Sequence, residues 1–579
     1  MTSRLSRSLV ASVLASAWLA APAAAADPIM RLDEVRSGME CTGYSVVRGV
    51  EPASFDVEII DVIGGDPASD RPRLLIEVSG PAVDVTGLGP GFSGSPVYCP
   101  DAQGTPRVAG AISESVGEYG GKVALATPIQ SVLGVPVEAP AGARRRFLRG
   151  RPLAAPLTIS GLSPALARGL ERIAGRAGHT VLAAPAHAPA GFPQQPLRAG
   201  SAMAVGLSGG DLSLSAIGTV TYVDGSRLWG FGHALDGVGS RSLLLQDAYV
   251  YRVINSPLQI GGVASTYKLA AAGRTVGALT NDGFSAVAGR IGSAPSTIPV
   301  AVRVTDRDTG RRRGVDVHAA DETDLGDPGG LSPIGLIAPI AVAEGATAIL
   351  GASPPRLTGD MCARISLRER TRPLRFCNRY VTDSAATSLL GLGNGVATSA
   401  ADDVSRALSL VGESPVHIEG ISAAVGIRRG ASLAQLSGVG MPRRVRPGQR
   451  VRVSLEVRLP GGGEARRSFV LRVPAGLSPG SHRLVFVGTD PDGLEDSDFL
   501  SFSPQAKAGS AASSARAPGR SELERLAAAV AGIGRDDGVR LRLRGSREGS
   551  PVFRDAELRI TGRASVRVQV RRARPAQRR

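Results

Sequence analysis

Over most of the chain apolar and polar residues alternate with the two-residue period of a half-buried strand, not the 3.6-residue period of a helix. The first set of such runs is Phe55 to Val62, Arg73 to Val78, Ser95 to Tyr98, Val108 to Ser113 and Val123 to Ala126. Gly, Pro and Asp clusters separate them, so residues 27–136 are expected to form a small all-β unit. Residues 199–310 predict a second. Its best-marked element is a hairpin of Ala216 to Val223 and Arg227 to Phe231 joined at Asp224-Gly225, a dipeptide that suits the type I′ turn of paired strands. Val276 to Leu279, Ser285 to Ile291 and Ile298 to Val304 add further strands. The alternation is clearest in Val451, Val453, Leu455, Val457 and Leu459, then Phe469, Leu471 and Val473, which predicts a β-sandwich over residues 416–503.

Helical spacing is confined to Ser163 to Ile173, Asp402 to Leu410 and Ser521 to Ile533. Residues 137–198 read as a linker with one short helix, and residues 311–415 as a mixed α/β connecting region. The latter carries a hairpin around Ile365 to Leu367 and Leu374 to Phe376. Residues 504–518, rich in Ser, Ala and Pro, read as a linker, and residues 519–579 as a small basic α+β domain. The expected fold class is mainly β.

Composition narrows this picture. A chain of 579 residues with 43% apolar and 20% charged residues builds several packed domains, and 74 Gly and 40 Pro suit many turns and exclude a long-helix protein. The formal charge is +16, but only 4% of residues are aromatic, too few for an extensive base-stacking surface. Lys122, Lys268 and Lys507 are the only lysines among 67 basic residues, a bias toward Arg that reads as codon usage. Residues 535–579 hold 14 Arg against 5 acidic residues, a net +9 of the +16. Arg540, Arg542 and Arg544 share one strand face, which reads as a solvated surface or one that meets an anionic cell-envelope polymer.

Residues 1–26 have the form of a signal peptide: Arg4 and Arg7, an apolar stretch from Leu9 to Ala21, then Ala24-Ala25-Ala26. The expected location is therefore secreted or extracytoplasmic, at the cell envelope, which speaks against a nucleic-acid partner. No later run reaches the length of a transmembrane span. Four cysteines admit three disulfide pairings, of which Cys41 with Cys99 and Cys362 with Cys377 gives one clip per local region. Neither the cysteines nor the six dispersed histidines have metal-ligand spacing, and no metal or cofactor is expected.

The stretch that carries chemistry is Gly89-Pro90-Gly91-Phe92-Ser93-Gly94-Ser95-Pro96-Val97. Glycines on both sides of Ser93 let the backbone turn sharply and aim the amides of Gly91 and Ser93 at one point, as an oxyanion hole requires. Ser93 is then the exposed nucleophile. A serine needs a base, and of the six histidines only His233 follows a strand directly within a glycine-flanked segment, Gly230-Phe231-Gly232-His233-Ala234-Leu235-Asp236-Gly237. His179, His187, His318, His417 and His482 read as surface or satisfied side chains.

Gly91 to Val97 resembles the G-M-S-G-S-P nucleophile loop of the sporulation stage IV B (SpoIVB-type) serine endopeptidases, with Phe92 in place of the usual Met. Ile217-Gly218-Thr219-Val220-Thr221-Tyr222 and Gly232-His233-Ala234 resemble that family's I-G-T-x-T-F and G-H segments, and Val276 to Leu279 and Ile298 to Val300 its downstream strands. The resemblance spans residues 30–136 and 199–305. It implies a trypsin-like pair of β-barrels with the site between them, Ser93 as nucleophile, His233 as general base, and a protein or peptide substrate. Val108 to Glu114 resembles the strand beside which a substrate backbone pairs, and Ala126-Thr127-Pro128-Ile129 a recurring ending of such domains.

The chain departs from the family in three ways. Its serine segment precedes its histidine segment, as if the halves were permuted. The family's acidic residue aligns near Ser79, leaving Glu77, Asp84 or Asp236 as possible third members of a triad. No segment resembles a PDZ domain. The expected function is a secreted serine endopeptidase, self-processing or signalling; a catalytically inactive envelope-binding or scaffold protein is the alternative.

Overall fold

A computed structural model describes residues 26–64, 72–116, 121–139, 156–176, 180–184, 186–189, 192–255, 266–325, 331–351, 354–382, 395–489, 519–533, 538–543 and 551–571. All but the last residue of the signal peptide read at 1–26, most of the linker before Pro156 and the linker at 504–518 lie outside them. Among the described residues no helix is long and apolar enough to cross a membrane, and the architecture is mainly β, as expected.

The first unit is a closed barrel in the order β1-β2-β3-β6-β5-β4, built from β1 (Glu40–Ser45), β2 (Ala53–Ile63), β3 (Arg73–Ser79), β4 (Pro96–Pro100), β5 (Pro106–Ser115) and β6 (Val123–Pro128). Strict alternation turns Phe55, Val57 and Ile59 of β2 and Leu74, Ile76 and Val78 of β3 inward. β1 had no signal of its own in the sequence. Gly43 at its centre lies so near the Phe55 ring that a Cβ there would meet it at 2.3 Å. The closing seam between β1 and β4 pairs only Thr42 with Tyr98 and Gly43 with Val97, and the Cys41–Cys99 disulfide staples it.

The second unit contains β7 (Leu157–Ser160), β8 (Val181–Ala183), β9 (Ala202–Gly206), β11 (Ser213–Asp224), β12 (Arg227–Gly230), β13 (Gly239–Asn255), β14 (Thr266–Gly283) and β15 (Ala286–Ile291). Successive pairings run β9-β11-β12-β15-β14-β13 and back to β9, a closed circuit with β7 and β8 appended to β11. The predicted hairpin is β11–β12, with Asp224 opposite Arg227. Of the long strands β13 and β14, only Val276 to Leu279 within β14 was marked in the sequence, because neither strand keeps a sustained alternation of buried and exposed positions.

A third sheet, ordered β10-β17-β16-β20-β18-β19, takes in β10 (Ser208–Gly210), β16 (Thr297–Asp306), β17 (Arg312–Ala320), β18 (Leu357–Leu367), β19 (Arg370–Thr382) and β20 (Ile418–Arg429). The Ile298 to Val304 strand, expected in the second barrel, is β16 and pairs instead with β17 and, in parallel, with β20. The predicted hairpin is β18–β19, with Cys362 directly opposite Cys377 and bonded to it. The segment α3 (Pro333–Ala348) is buried on nearly every side, so its composition carried no helical period to detect. Together with α2 (Pro164–Arg176) and α4 (Gly395–Gly412) it joins the third sheet and the second barrel in one apolar core, so no core boundary falls near residue 310.

The last unit is two facing sheets around a separate core that includes Val453, Leu455, Phe486 and Val568. One holds β21 (Leu433–Gly440), β23 (Arg450–Arg458), β24 (Glu464–Arg472) and β28 (Arg559–Thr561); the other holds β22 (Arg444–Val445), β25 (Gly480–Val487), β26 (Gly538–Arg542), β27 (Pro551–Arg554) and β29 (Arg563–Val570). The strands expected in a separate domain at 519–579 therefore complete the sandwich. Helix α5 (Arg520–Gly532) instead buries Leu526 and Val530 in the core shared by the second barrel and third sheet. A two- or three-stranded ribbon cannot cover its own apolar face, which is why these strands complete a neighbour's sheet.

The two disulfides close loops of very different span, 58 and 15 residues. Loop-closure entropy then gives about 4 kcal/mol for the first and about 3 for the second. Denaturant unfolding of Cys41→Ala/Cys99→Ala should show the larger loss, confined to the first barrel, and Cys362→Ala/Cys377→Ala the smaller.

Candidate active site

The Ser93 loop runs into β4 and lies against the second barrel, and each of its carbonyls has a partner. Gly89 O accepts from Phe92 N (3.0 Å), Pro90 O from Lys268 N (2.9 Å) and Ser93 O from Thr219 N (2.8 Å). Gly91 O accepts from Thr219 Oγ1 (3.0 Å) and Gly94 O from Thr221 Oγ1 (2.8 Å). Phe92 O accepts from Ser95 N (2.9 Å) and Ser95 Oγ (2.6 Å). Among the described residues the amides of Gly91 and Ser93 have no acceptor, whereas that of Gly94 donates to Ile112 O at 2.7 Å. In a trans peptide the carbonyl and the following N–H point in opposite directions. Fixing Pro90 O and Phe92 O therefore fixes the directions of the Gly91 and Ser93 N–H groups.

Gly91 (φ +97°) and Gly94 (φ +93°) are left-handed, as the loop requires. At Gly94 space is the stronger constraint: a Cβ would lie 2.0 Å from Thr219 O and 2.5 Å from Phe231 N. Phe231 is two residues before His233, so the Ser93 and His233 segments are held backbone to backbone across the two barrels. Phe231 itself has φ +68°, the one positive φ outside glycine among the described residues. Such strain in a buried aromatic persists only where surrounding structure imposes it. Thr127 Oγ1, from the Ala126 to Ile129 segment, donates to Gly232 O at 2.7 Å. On the other side of His233 the buried Asp282 carboxylate accepts from the amides of Leu235 (2.7 Å), Asp236 (2.7 Å) and Gly237 (2.8 Å).

The His233 Nδ1 lies 2.7 Å from Ala234 O. A carbonyl only accepts, so Nδ1 carries the proton and the neutral ring keeps its lone pair on Nε2. Loss of solvation pulls the imidazole below its ordinary 6.5, partly offset by the Ala234 carbonyl and by the charge of Glu114, while Arg73 acts the other way. Among the described residues no hydrogen bond joins Ser93 Oγ to His233, a contact that in unliganded enzymes often tightens only with substrate.

Among the described residues none of the three acidic residues considered for a triad is hydrogen-bonded to His233. Glu77 is exposed on β3 opposite Glu58 and Val123. Asp84 pairs with Lys122 at 2.8 Å. Asp236 pairs with Arg241 at 3.0 Å and accepts from Leu331 N. The sequence reading missed Glu114, which it had treated only as the end of a strand, and Lys268, which no motif marked. Among the other histidines, His187 contacts Ser160 Oγ, His417 lies between Glu369 and Asp324, and His482 contacts Ser478 O. His318 sits on β17 at an exposed position, and His179 lies outside the described residues. Among the described residues no group of His, Cys, Asp and Glu has the arrangement of a metal site.

No family model, curated protein or solved structure matches the chain.

If Gly94 is the seat of the loop, Gly94→Ala should destabilise far more than a turn glycine whose surroundings are open. Gly225→Ala (φ +59°, nothing within 4 Å) should cost only the left-handed penalty of about 1–2 kcal/mol, and Gly94→Ala at least twice that, in parallel urea titrations.

Proposed function

We propose that the chain is a serine endopeptidase of the SpoIVB type, secreted to the cell envelope. The observation that carries the reading is the pair of unpartnered amides at Gly91 and Ser93, one on each side of Phe92, in a loop whose carbonyls are all engaged. A buried or half-buried loop does not ordinarily leave two adjacent donors unsatisfied. An anionic tetrahedral oxygen is a partner that suits both.

In this reading Ser93 Oγ attacks the scissile carbonyl, His233 Nε2 takes the hydroxyl proton, and the oxyanion accepts from Gly91 N and Ser93 N. His233 then returns the proton to the leaving amine, and a water deprotonated by the same nitrogen releases the acyl group. The Ala234 carbonyl holds the tautomer this cycle needs. It is a neutral acceptor and stabilises the imidazolium less than a carboxylate does, which suits slow, narrowly directed or self-directed cleavage. A substrate backbone has a place beside the serine. β4 pairs β5 only as far as Ala111, Ile112 bonds to Gly94 and Ser95, and Ser113 to Ser115 have no strand on that side among the described residues.

A fluorophosphonate probe should label wild type at Ser93 and leave Ser93→Ala unlabelled, with His233→Ala slowed by about 10³ or more. The general base must be neutral, so the labelling rate should rise with pH through an acid limb whose midpoint lies below 6.5. Wild-type protein that is folded, mass-stable and unlabelled across that range would exclude the peptidase.

A second, non-catalytic reading draws on the sandwich. On its outer faces Arg450 stands opposite Arg472 and Arg483 opposite Arg567, all exposed. Like charges directly opposite destabilise a sheet, and an anionic envelope polymer would relieve them. Retention on immobilised poly-L-glutamate should fall steeply with salt and weaken severalfold in Arg483→Ser/Arg567→Ser, with probe labelling unchanged.

A further inference from the structure

Beneath the Ser93 loop, where the two barrels meet, lies a polar cluster that the acylation steps leave unused. Lys268 of β14 is 2% exposed. Its Nζ donates to Ser45 Oγ of β1 at 2.7 Å and to Thr219 Oγ1 of β11 at 3.2 Å, and lies 4.5 Å from the centroid of the Phe92 ring. Its methylenes back the loop so closely that a Cβ on Gly91 would meet them at 2.9–3.0 Å. Ser45, Ser95 and Thr219 are fully buried. The groups that face the ammonium, from β1, β11 and the loop, are hydroxyls, one aromatic ring and backbone. Among the described residues no carboxylate pairs with it, and loss of solvation pulls Lys268 from 10.5 to about 7.

An ammonium has donors and no acceptor, and this sets the direction of the whole cluster. Ser45 and Thr219 accept from Lys268 and turn their own protons outward. Thr219 gives its proton to Gly91 O. Ser95 Oγ donates to Ser45 Oγ at 2.8 Å and lies 2.6 Å from Phe92 O, which also accepts from Ser95 N. The main-chain amide of the same lysine holds Pro90 O. Two consecutive loop carbonyls thus depend on one residue, Pro90 O on its amide and Gly91 O through Thr219, and Ser95, which holds the third, Phe92 O, donates into the same hydroxyl cluster. A neutral amine carries a lone pair, accepts from Ser45 or Thr219, and frees the order to reverse.

We propose that Lys268 is the positioning residue of the oxyanion hole: its amide holds the peptide that carries the Gly91 N–H, and its ammonium, through Thr219 and the Ser45–Ser95 hydroxyl pair, braces the two peptides that lead to the Ser93 N–H. Its consequence for catalysis rests on the peptidase reading. A buried, unpaired cation is costly, and in a chain where 64 of 67 basic residues are Arg this position keeps one of three lysines. A residue that only filled space here would be better replaced by an apolar side chain of the same length.

The test sets Lys268→Met and Thr219→Val beside wild type and measures three quantities: the second-order rate of fluorophosphonate labelling at Ser93, urea stability from pH 6 to 10, and hydrogen exchange of the peptide covering residues 88–97. The folded lysine binds fewer protons than the unfolded one between pH 7 and 10.5. Wild type therefore gains stability relative to Lys268→Met as pH rises through that window. The variant should be at least as stable as wild type at pH 6 and lose that advantage toward pH 10. Yet it should label about 10²-fold more slowly, the scale of one lost oxyanion donor. It should also keep the acid limb of His233, lose the basic limb that wild type shows above about pH 7, and exchange faster at 88–97. Thr219→Val, with the lysine intact, should slow labelling in the same direction. Labelling of either variant at the wild-type rate overturns the proposal. If wild type takes no probe at Ser93, the peptidase reading fails on its own account. The positioning role is then decided by exchange at 88–97 alone: faster in Lys268→Met upholds it, unchanged overturns it.

Discussion

Gly94 has no room for a side chain, and the arrangement of the two barrels follows from that. Thr219 O and Phe231 N approach so closely that the Ser93 loop meets β11 and the start of the His233 segment through backbone alone. Two independently closed barrels offer few edges with which to dock. Here they dock through hydrogen bonds from Thr219 N, Thr219 Oγ1 and Thr221 Oγ1 to three carbonyls of one loop. Ser93 and His233 come from opposite barrels, yet their segments are tied backbone to backbone as closely as a strand pair.

Around that contact the molecule tolerates features that a structure optimised for stability would discard. Phe231 is left-handed and fully buried. Lys268 is a dry cation with hydroxyls in place of a counter-charge. Asp282 is buried with three amides, and Arg241 with Asp236 and Glu322. The first two sit directly at the loop, and the last two hold the chain that leads away from His233. Stability comes from elsewhere: the second barrel and third sheet share one large apolar core with α3 and α4, and the first barrel is stapled at its shortest seam. Rigid surroundings let strained and desolvated groups persist at one place.

The order of the segments along the chain does not matter to this geometry. A pair such as Ser93 and His233 is defined by where its members meet and not by their order in sequence. The His233 imidazole is held by the carbonyl of the next residue, with Glu114 and Arg73 exerting opposed charges on it. A backbone acceptor cannot be moved by a rotamer change, so orientation is secure while charge stabilisation is weak.

Local pattern alone determined a good deal: the strands of the first barrel after β1, the β11–β12 and β18–β19 hairpins, the α2 and α4 helices, and Ser93 and His233 as the residues most constrained by flanking glycine. These are legible because alternation, turn dipeptides and glycine runs act over a few residues. The strand β13, the first half of β14 and the apolar helix α3 were not legible, since irregular or near-complete burial erases the periodicity that one-sided burial writes into a sequence. Nor was the partner of each strand: Ile298 to Val304 alternates in either sheet, and only the competition among sheets for cover placed it beside β20 and sent the last strands into the sandwich. Lys268 and Glu114 belong to the same class. Each is one ordinary residue in one strand, 175 and 21 positions from Ser93 in the chain, and their nearness to the site is a property of barrel closure that no local pattern encodes.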